Sequence, residues 1–363
     1  KKLCDHYFAG LIPVVIGIAA SSDFSRGKLL MPLVFAAALG GNLSIIGAPG
    51  NLIGTNALNE LGIETGFFEY IGVGLPMLVF GILYFAVFGY KLLPDNKDLV
   101  SADDDQFAAK DFSGVPVWKQ TASLVILILS ILAMIFEKQI GVKLHVSASV
   151  GAIILILTGV ISEKEALRSI DLKTVFLFGG SLALASALET TGAGTLVADA
   201  IIHALGDTPS PFLMLLVIWI ITCALTNFMS NTATTALMVP IAVALAQGLG
   251  ADPRAVVVAT VIAGSCAYAT PIGMPANTMV VGIGGYSFRD YVKAGLPLIG
   301  VSFVICMVLL ALVWPQAPRW VYIGVPPVLA AAGLAWMGLS RLTLLRVFLR
   351  GGAPAHAAAQ RLR

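Results

Sequence analysis

Asn42-Leu-Ser-Ile-Ile-Gly-Ala-Pro-Gly-Asn51 and Tyr268-Ala-Thr-Pro-Ile-Gly-Met-Pro-Ala-Asn277 share one frame, Ser/Thr-x-x-Gly-x-Pro-x-Asn, at an offset of 226 residues. Ser44 pairs with Thr270, Gly47 with Gly273, Pro49 with Pro275 and Asn51 with Asn277. The flanks repeat as well. Phe67-Phe-Glu-Tyr-Ile-Gly-Val-Gly-Leu-Pro76 matches Phe288-Arg-Asp-Tyr-Val-Lys-Ala-Gly-Leu-Pro297 at an offset of 221. Upstream, Pro13-Val-Val-Ile stands to the first frame as Pro240-Ile-Ala-Val stands to the second. Three blocks in order at a nearly constant offset mark two homologous halves, 1–92 and 174–315.

Both frames interrupt apolar sequence. The chain has 363 residues, 58% hydrophobic and 12% charged, with a mean hydropathy of +0.92. Soluble domains carry about 25% charged residues. Apolar runs recur at Tyr70–Leu92, Thr121–Phe136, Val146–Ile161, Pro211–Leu225 and Gly295–Val313. A helical span needs about 20 such residues, and the runs lack the short alternation of barrel strands. The pattern predicts an all-α polytopic membrane protein. Between the halves lie a cytoplasmic loop (93–117) and further helices (118–173), and after them an extra span and basic tail (316–363, the span at Trp320–Leu339). Lys1–Asp5 shows no signal-peptide pattern, and the chain enters an apolar segment at once, as if preceding sequence were absent. A net charge of +2 implies no nucleic-acid partner.

Gly and Pro at a matching place in each half break two membrane helices, near 44–51 and 270–277. Irregular backbone at membrane depth survives where it is buried in protein or lines a cavity. Paired breaks in two halves are the sequence pointer to a transporter binding site.

Lys and Arg fix the orientation. If the Asp95–Lys119 loop is cytoplasmic, the loops Ser21–Lys28, Ser162–Lys173 and Ser287–Lys293 and the C-terminal tail lie inside. All of these carry Lys or Arg. Glu60–Glu69 and Gly248–Arg254 lie outside, and the outer Lys and Arg are only Lys138, Lys143, Arg254 and Arg319. This is a positive-inside bias. The loops before the two broken helices then face opposite sides, so the repeat is inverted, as in secondary transporters.

Thr226-Asn-Phe-Met-Ser-Asn-Thr-Ala-Thr-Thr235 is polar where the surroundings are not. A re-entrant helical hairpin with its tip at Ser230–Thr232 accounts for it, Ser230 or Asn231 capping the return helix. Spare N–H donors and the dipole at such a helix start hold an anion without Lys or Arg. Unwound carbonyls and Asn oxygens at the breaks are hard ligands suited to Na⁺, which would offset the charge of a divalent anion and couple ion to solute. The rival coupling ion is a proton. Glu189 and Asp199 are the only acids between Lys173 and Asp207.

Other chemistry is absent from the pattern. Cys4, Cys223, Cys266 and Cys306 have no zinc or redox spacing. His6, His145, His203 and His356 are dispersed. No phosphate-binding GxxxxGK motif occurs. Gly192–Gly194 and Gly282–Gly285 read as helix packing or breaks. No nucleophile–base set suggests an enzyme.

Phe178-Gly-Gly-Ser-Leu-Ala-Leu-Ala-Ser-Ala-Leu-Glu-Thr-Thr-Gly192, Ser230-Asn-Thr-Ala-Thr-Thr-Ala-Leu-Met-Val-Pro240 and Pro271-Ile-Gly-Met-Pro-Ala-Asn277 resemble the divalent anion/sodium symporter (DASS, INDY-type) family of the ion transporter superfamily. Lys28-Leu-Leu-Met-Pro-Leu together with Gly40–Asn51 resembles its branch that carries TrkA-C domains. The resemblance spans about Pro13 to Trp314. It implies a Na⁺-coupled symporter of dicarboxylate or sulfate in a bacterial inner membrane, a homodimer with a scaffold and a mobile transport domain moving as an elevator. It also implies anion contacts from Ser230, Asn231, Thr232, Ser44, Pro49, Asn51, Thr270, Pro275 and Asn277. Na⁺ sites would use Ser44, Gly47, Asn51, Asn231, Thr270, Pro271 and Asn277, with no other cofactor. A cation/proton antiporter of the same superfamily and a truncated, non-transporting membrane protein are the alternatives. The chain departs from the family in several places. Leu3-Cys4-Asp5 stands where the first Ser-Asn-Thr belongs, and Ala48 and Gly50 replace the usual Thr and Ser or Pro. The Asp95–Lys119 loop is too short for TrkA-C domains, and Pro318–Arg363 matches nothing in the family.

Overall fold

The structure is a computed structural model in which residues 25–95, 116–170 and 211–313 are described, with scattered positions between 11 and 19 and between 172 and 200. Leu3-Cys4-Asp5, Glu189, Asp199, the span at Trp320–Leu339 and the basic tail lie outside the described residues. Those described form an all-helical protein. In the first half, α1 (Arg26–Gly41) is followed by an irregular segment and α2 (Pro49–Glu60). Next, α3 (Ile71–Tyr84) runs on through a π turn (Phe85–Gly89) to Leu92. Two helices, α4 (Val117–Ile135) and α5 (Leu144–Leu157), and the short α6 (Glu163–Ser169) follow. The second half holds α7 (Pro211–Thr226), α8 (Asn231–Gly248), α9 (Pro253–Gly264), α10 (Pro275–Gly284) and α11 (Phe288–Val313).

Among the described residues three helices are long and apolar enough to cross a bilayer: Ile71–Leu92, Val117–Ile135 and Phe288–Ala311. Leu144–Leu157, Phe212–Thr226 and Pro253–Gly264 are shorter apolar helices. Element bounds differ from the apolar runs for local reasons. The run from Gly295 begins seven residues earlier as helix, because Ser287 N and Oγ both donate to Asp290 Oδ2 (2.8 and 2.6 Å) and close its first turn. The run to Ile161 stops as helix at Leu157, because Gly159 takes a left-handed φ of 69°.

The core centres on α9. Every residue from Ala255 to Gly264 is buried, and the one polar side chain among them, Thr260, donates to Val256 O at 2.7 Å, so this helix needs no solvent side. It packs against α7, α8 and α2, while α1, α3, α10 and α11 close around the breaks. In contrast α4 and α5 pack mainly on each other, joined where Ser130 lies over Gly151. Their outward residues, among them Leu124, Ile128, Leu132, Val150 and Ile153, form an apolar face.

The loops that charge counting groups together also meet in space. Arg254 reaches Glu69 and the Glu64 carbonyl at one end of the molecule. At the other, Lys28 Nζ lies 2.6 Å from Asp95 Oδ2, and Tyr286 OH donates to Gly27 O at 2.7 Å.

Candidate functional site: two matched breaks and a hairpin tip

Each break is spanned by one amide. Asn51, fully buried, donates from Nδ2 to Gly41 O (2.8 Å) and Ser44 O (2.7 Å). Asn277, also fully buried, donates to Ala267 O (2.8 Å) and Thr270 O (2.9 Å). In both cases the acceptors sit ten and seven residues back along the chain. A tyrosine buttresses each strut: Tyr70 OH donates to Asn51 O at 2.8 Å, and Tyr291 OH to Asn277 O at 2.7 Å. A glycine seats the following helix on each break. A methyl added at Gly74 would overlap the Asn42 carbonyl oxygen, and one at Gly295 the Tyr268 carbonyl oxygen. The two breaks are therefore built from one set of hydrogen bonds and one close approach.

Both struts leave an acceptor over. Asn51 Oδ1 and Asn277 Oδ1 are buried without a hydrogen-bond partner among the described residues. A buried, unpartnered amide oxygen is costly, by about 1–3 kcal/mol. A cation or water on it removes that cost.

The prolines do not sit where the sequence placed them. Pro49 and Pro275 are first residues of α2 and α10, where a missing N–H is harmless and a fixed φ helps. The irregular segments are 42–48 and 265–274, several residues earlier than the expected 44–51 and 270–277. Asn51 and Asn277 lie in the first turns of helices. Gly47 N donates to Ser44 O at 3.2 Å, and Gly47 lies so near Gly41 O that no side chain fits. Pro271 O accepts from Thr278 Oγ1 at 2.7 Å.

The hairpin turn covers residues 227–230, and Ser230 is the N-cap of α8. Its Oγ accepts from Ala233 N at 3.3 Å. Asn231 and Thr232 already belong to the first helical turn, which moves the tip slightly toward α7. Their backbone N–H groups have no acceptor among the described residues. Thr226 Oγ1 bridges the two arms and α9, with Asn231 Oδ1 at 2.9 Å and Gly264 O at 2.6 Å. Asn227 welds the tip to the second break. Its Nδ2 donates to Cys223 O (2.8 Å) and Cys266 O (3.2 Å), and its Oδ1 accepts from Ala269 N (3.0 Å). Thr270 Oγ1 donates to Asn227 O and accepts from Gly273 N.

The tip also reaches the first half. Thr235, one turn into α8, lies over Gly50 at the start of α2 and over Gly264 at the end of α9. A methyl at those glycines would stand 2.9 and 2.5 Å from Thr235 Oγ1. Small residues thus let α2, α8 and α9 approach closely, the usual device of membrane helices. The starts of α2 and α8 are brought side by side, and α10 starts at the break welded to the tip. Ser44, Asn51, Ser230, Asn231, Thr232, Thr270 and Asn277 all belong to this neighbourhood. Among the described residues no His, Cys, Asp and Glu cluster could hold a metal ion. The donor set is neutral oxygen, suited to an alkali cation rather than a transition metal.

Thr226, Asn227, Thr235, Tyr70 and Tyr291 carry this architecture and were not singled out as site residues from sequence. The two tyrosines could have been. They occupy the same place in the duplicated flanks that begin at Phe67 and Phe288.

A family profile described as citrate transporter matches residues 4–263. The chain belongs to the citrate transporter family. Its relatives are transporters too. An uncharacterized transporter of Methanocaldococcus jannaschii is 30% identical over 294 residues, covering 79% of this chain and 65% of its own length. Another from Haemophilus influenzae is 29% identical over 319 residues, covering 84% and 66%. The sodium-dependent dicarboxylate transporter SdcS of Staphylococcus aureus is 27% identical over 313 residues, covering 79% and 59%. The chain spans two thirds or less of the length of these relatives. The resemblance read from the motifs and this membership agree on a family of the ion transporter superfamily.

Proposed function

We propose that this chain carries out sodium-coupled symport of a divalent anion, a dicarboxylate or sulfate. The observation behind this reading is the matched pair of breaks, each with a buried Asn Oδ1, beside a hairpin whose Asn231 and Thr232 N–H groups, like those oxygens, have no partner among the described residues. Ser230, Asn231 and Thr232, with the starts of α2 (Ser44, Pro49, Asn51) and α10 (Thr270, Pro275, Asn277), hold the anion. Two Na⁺ ions lie at the breaks. One is near Ser44, Gly47 and Asn51, the other near Asn231, Thr270, Pro271 and Asn277. Neutral donors alone do not hold two negative charges in a low dielectric. Bound Na⁺ does, so the anion's affinity rises with sodium and the two move together. The printed function of SdcS, sodium-dependent dicarboxylate transport, supports the choice of ion and solute class.

Transport follows from an inverted-repeat architecture in which the breaks and hairpin form one mobile body. That body moves against helices such as α4 and α5 in a homodimer, in the manner of an elevator. Uptake of labelled succinate, citrate and sulfate into proteoliposomes, with and without a Na⁺ gradient, tests the proposal. Sodium-stimulated uptake of one of these anions is expected. Uptake driven equally by a proton gradient with no sodium present would refute the coupling ion.

A further inference from the structure

Among the described residues the first break has an ion-pair support from the other half that its counterpart lacks. Arg254 opens α9 in the second half, and its guanidinium grips the loop between α2 and α3 in the first. Nη2 donates to Glu64 O, and Nε lies 3.1 Å from Glu69 Oε1, an ion pair not aligned as a hydrogen bond. Both side chains are mostly buried, at 18% and 13% exposure. Glu69 uses its other oxygen to accept from Gly66 N at 3.2 Å. Arg254 thus fixes both ends of residues 64–69. Inside that span Phe67 O accepts from Ile45 N at 3.0 Å, and Ile45 is in the first break. Next to Glu69, Tyr70 holds the Asn51 carbonyl and lies 3.2 Å from Thr55 Oγ1.

The repeat supplies an internal control. Lys28 stands to the second half as Arg254 does to the first, by the same offset of 226, and Asp290 stands for Glu69 by the offset of 221. Asp290 keeps the turn-closing role, accepting from Ser287 N and Oγ. But Lys28 pairs with Asp95, at 2.6 Å. The α10–α11 loop is also held from the other half, but by a tyrosine and not an ion pair: Tyr286 OH donates to Gly27 O (2.7 Å) and accepts from Met31 N (2.8 Å), while Asn227 and Thr270 weld the second break locally.

We infer that Arg254 is a positioning residue for the first break. From the second half it sets the geometry of Ser44 and Asn51 through Glu64, Glu69, Phe67 and Ile45. Resting on the symport reading above, it tunes the cation held at that break and leaves the second break alone. The guanidinium touches neither ion nor anion.

Hydrogen–deuterium exchange on the purified full chain tests the brace without any transport. Arg254→Ala should speed exchange at residues 43–48 and 63–68 and leave 266–273 unchanged. Uniform acceleration, or none, overturns the inference. In proteoliposomes Arg254→Ala should raise half-saturating sodium about fivefold or more, the usual scale of coupling between sites. The anion KM at saturating sodium should stay within about twofold by the same comparison. Arg254→Lys keeps the ion pair and loses the grip on Glu64 O, so an intermediate sodium shift is expected. The exchanged pair Glu69→Arg/Arg254→Glu should recover more sodium affinity than either single change, and no recovery counts against the brace. If the unaltered chain shows no sodium-stimulated uptake, the symport reading fails, while the exchange experiment still decides the positioning role.

Discussion

Removing the amide struts is the most direct test of how the site is built. In Asn277→Ala two hydrogen bonds disappear, to Ala267 O and Thr270 O at 2.8 and 2.9 Å. Each such bond contributes about 1 kcal/mol net, and each carbonyl left buried and unpaired costs about 1–3 kcal/mol. One orphan is also removed, because Asn277 Oδ1 has no partner and its loss recovers part of that penalty. A net cost of about 3 kcal/mol follows, roughly a hundredfold in the folding equilibrium. Asn51→Ala breaks the same two bonds in the first half, at 2.8 and 2.7 Å, and should cost the same within about 1 kcal/mol. Asn→Asp at either position keeps the shape but turns the donor into an acceptor facing two carbonyl oxygens, and should be worse than Ala. Unfolding in a mixed-detergent titration, followed by tryptophan fluorescence, measures these differences. A loss below about 1 kcal/mol for either Ala variant would mean the amide does not carry the break. A large inequality between the two would mean that the duplicated bonds do unequal duty.

Gly74→Ala and Gly295→Ala each push a methyl against a backbone oxygen, which cannot rotate away as a side chain can. Overpacking of this kind costs about 1–3 kcal/mol, and both should reach the upper end in the same titration. Ser230→Ala removes the cap on Ala233 N and should cost about 1 kcal/mol of stability, whereas Ser230→Gly should cost only a few tenths. If Ser230 also touches the anion, both variants raise the anion KM, and an unchanged KM would confine Ser230 to capping. At α6, the Ser162 backbone N–H and then its hydroxyl hold the Glu165 carboxyl below the ordinary carboxylate range. A lowered folded pKa means the capping contribution is present above the unfolded value and fades as pH falls through the folded one. NMR titration should show that lowered value, and Ser162→Ala should return it toward normal.

The duplicated frame made the breaks legible because Gly, Pro and Asn each leave a mark that apolar helices do not. Their bounds were misplaced for a physical reason. Proline was read as a helix breaker, yet Pro49 and Pro275 begin helices, since the first turn has no use for their missing N–H groups. The hairpin was legible through Ser230-Asn231-Thr232, a cap sequence stranded in apolar surroundings. What holds it in place was not. Thr226 bonds to Gly264 O and Asn227 to Cys266 O, and a carbonyl partner leaves no trace in residue identity. Arg254 and Glu69 were counted only as charges on one face, and nothing local tells that they meet.

The residue chosen for both struts explains why structure and binding are hard to separate at this site. Spanning a break takes two donors on one short side chain, each aimed at a different carbonyl. Ser and Thr offer one donor, and Lys brings a charge that would need its own partner in the core. Asp offers no donor once ionised. Only an amide of this length satisfies the break without a net charge, and it carries an oxygen it does not use. Asn51 Oδ1 and Asn277 Oδ1 are therefore by-products of building the break, left buried and short of a partner. A small cation that occupies them relieves a cost that the empty protein bears. In the proposed symport its binding would then stabilise the broken conformation that presents the helix starts to the anion. On this account Na⁺ should protect the unaltered chain against unfolding more than it protects Asn51→Ala or Asn277→Ala. Equal protection in all three would separate the struts from the ion.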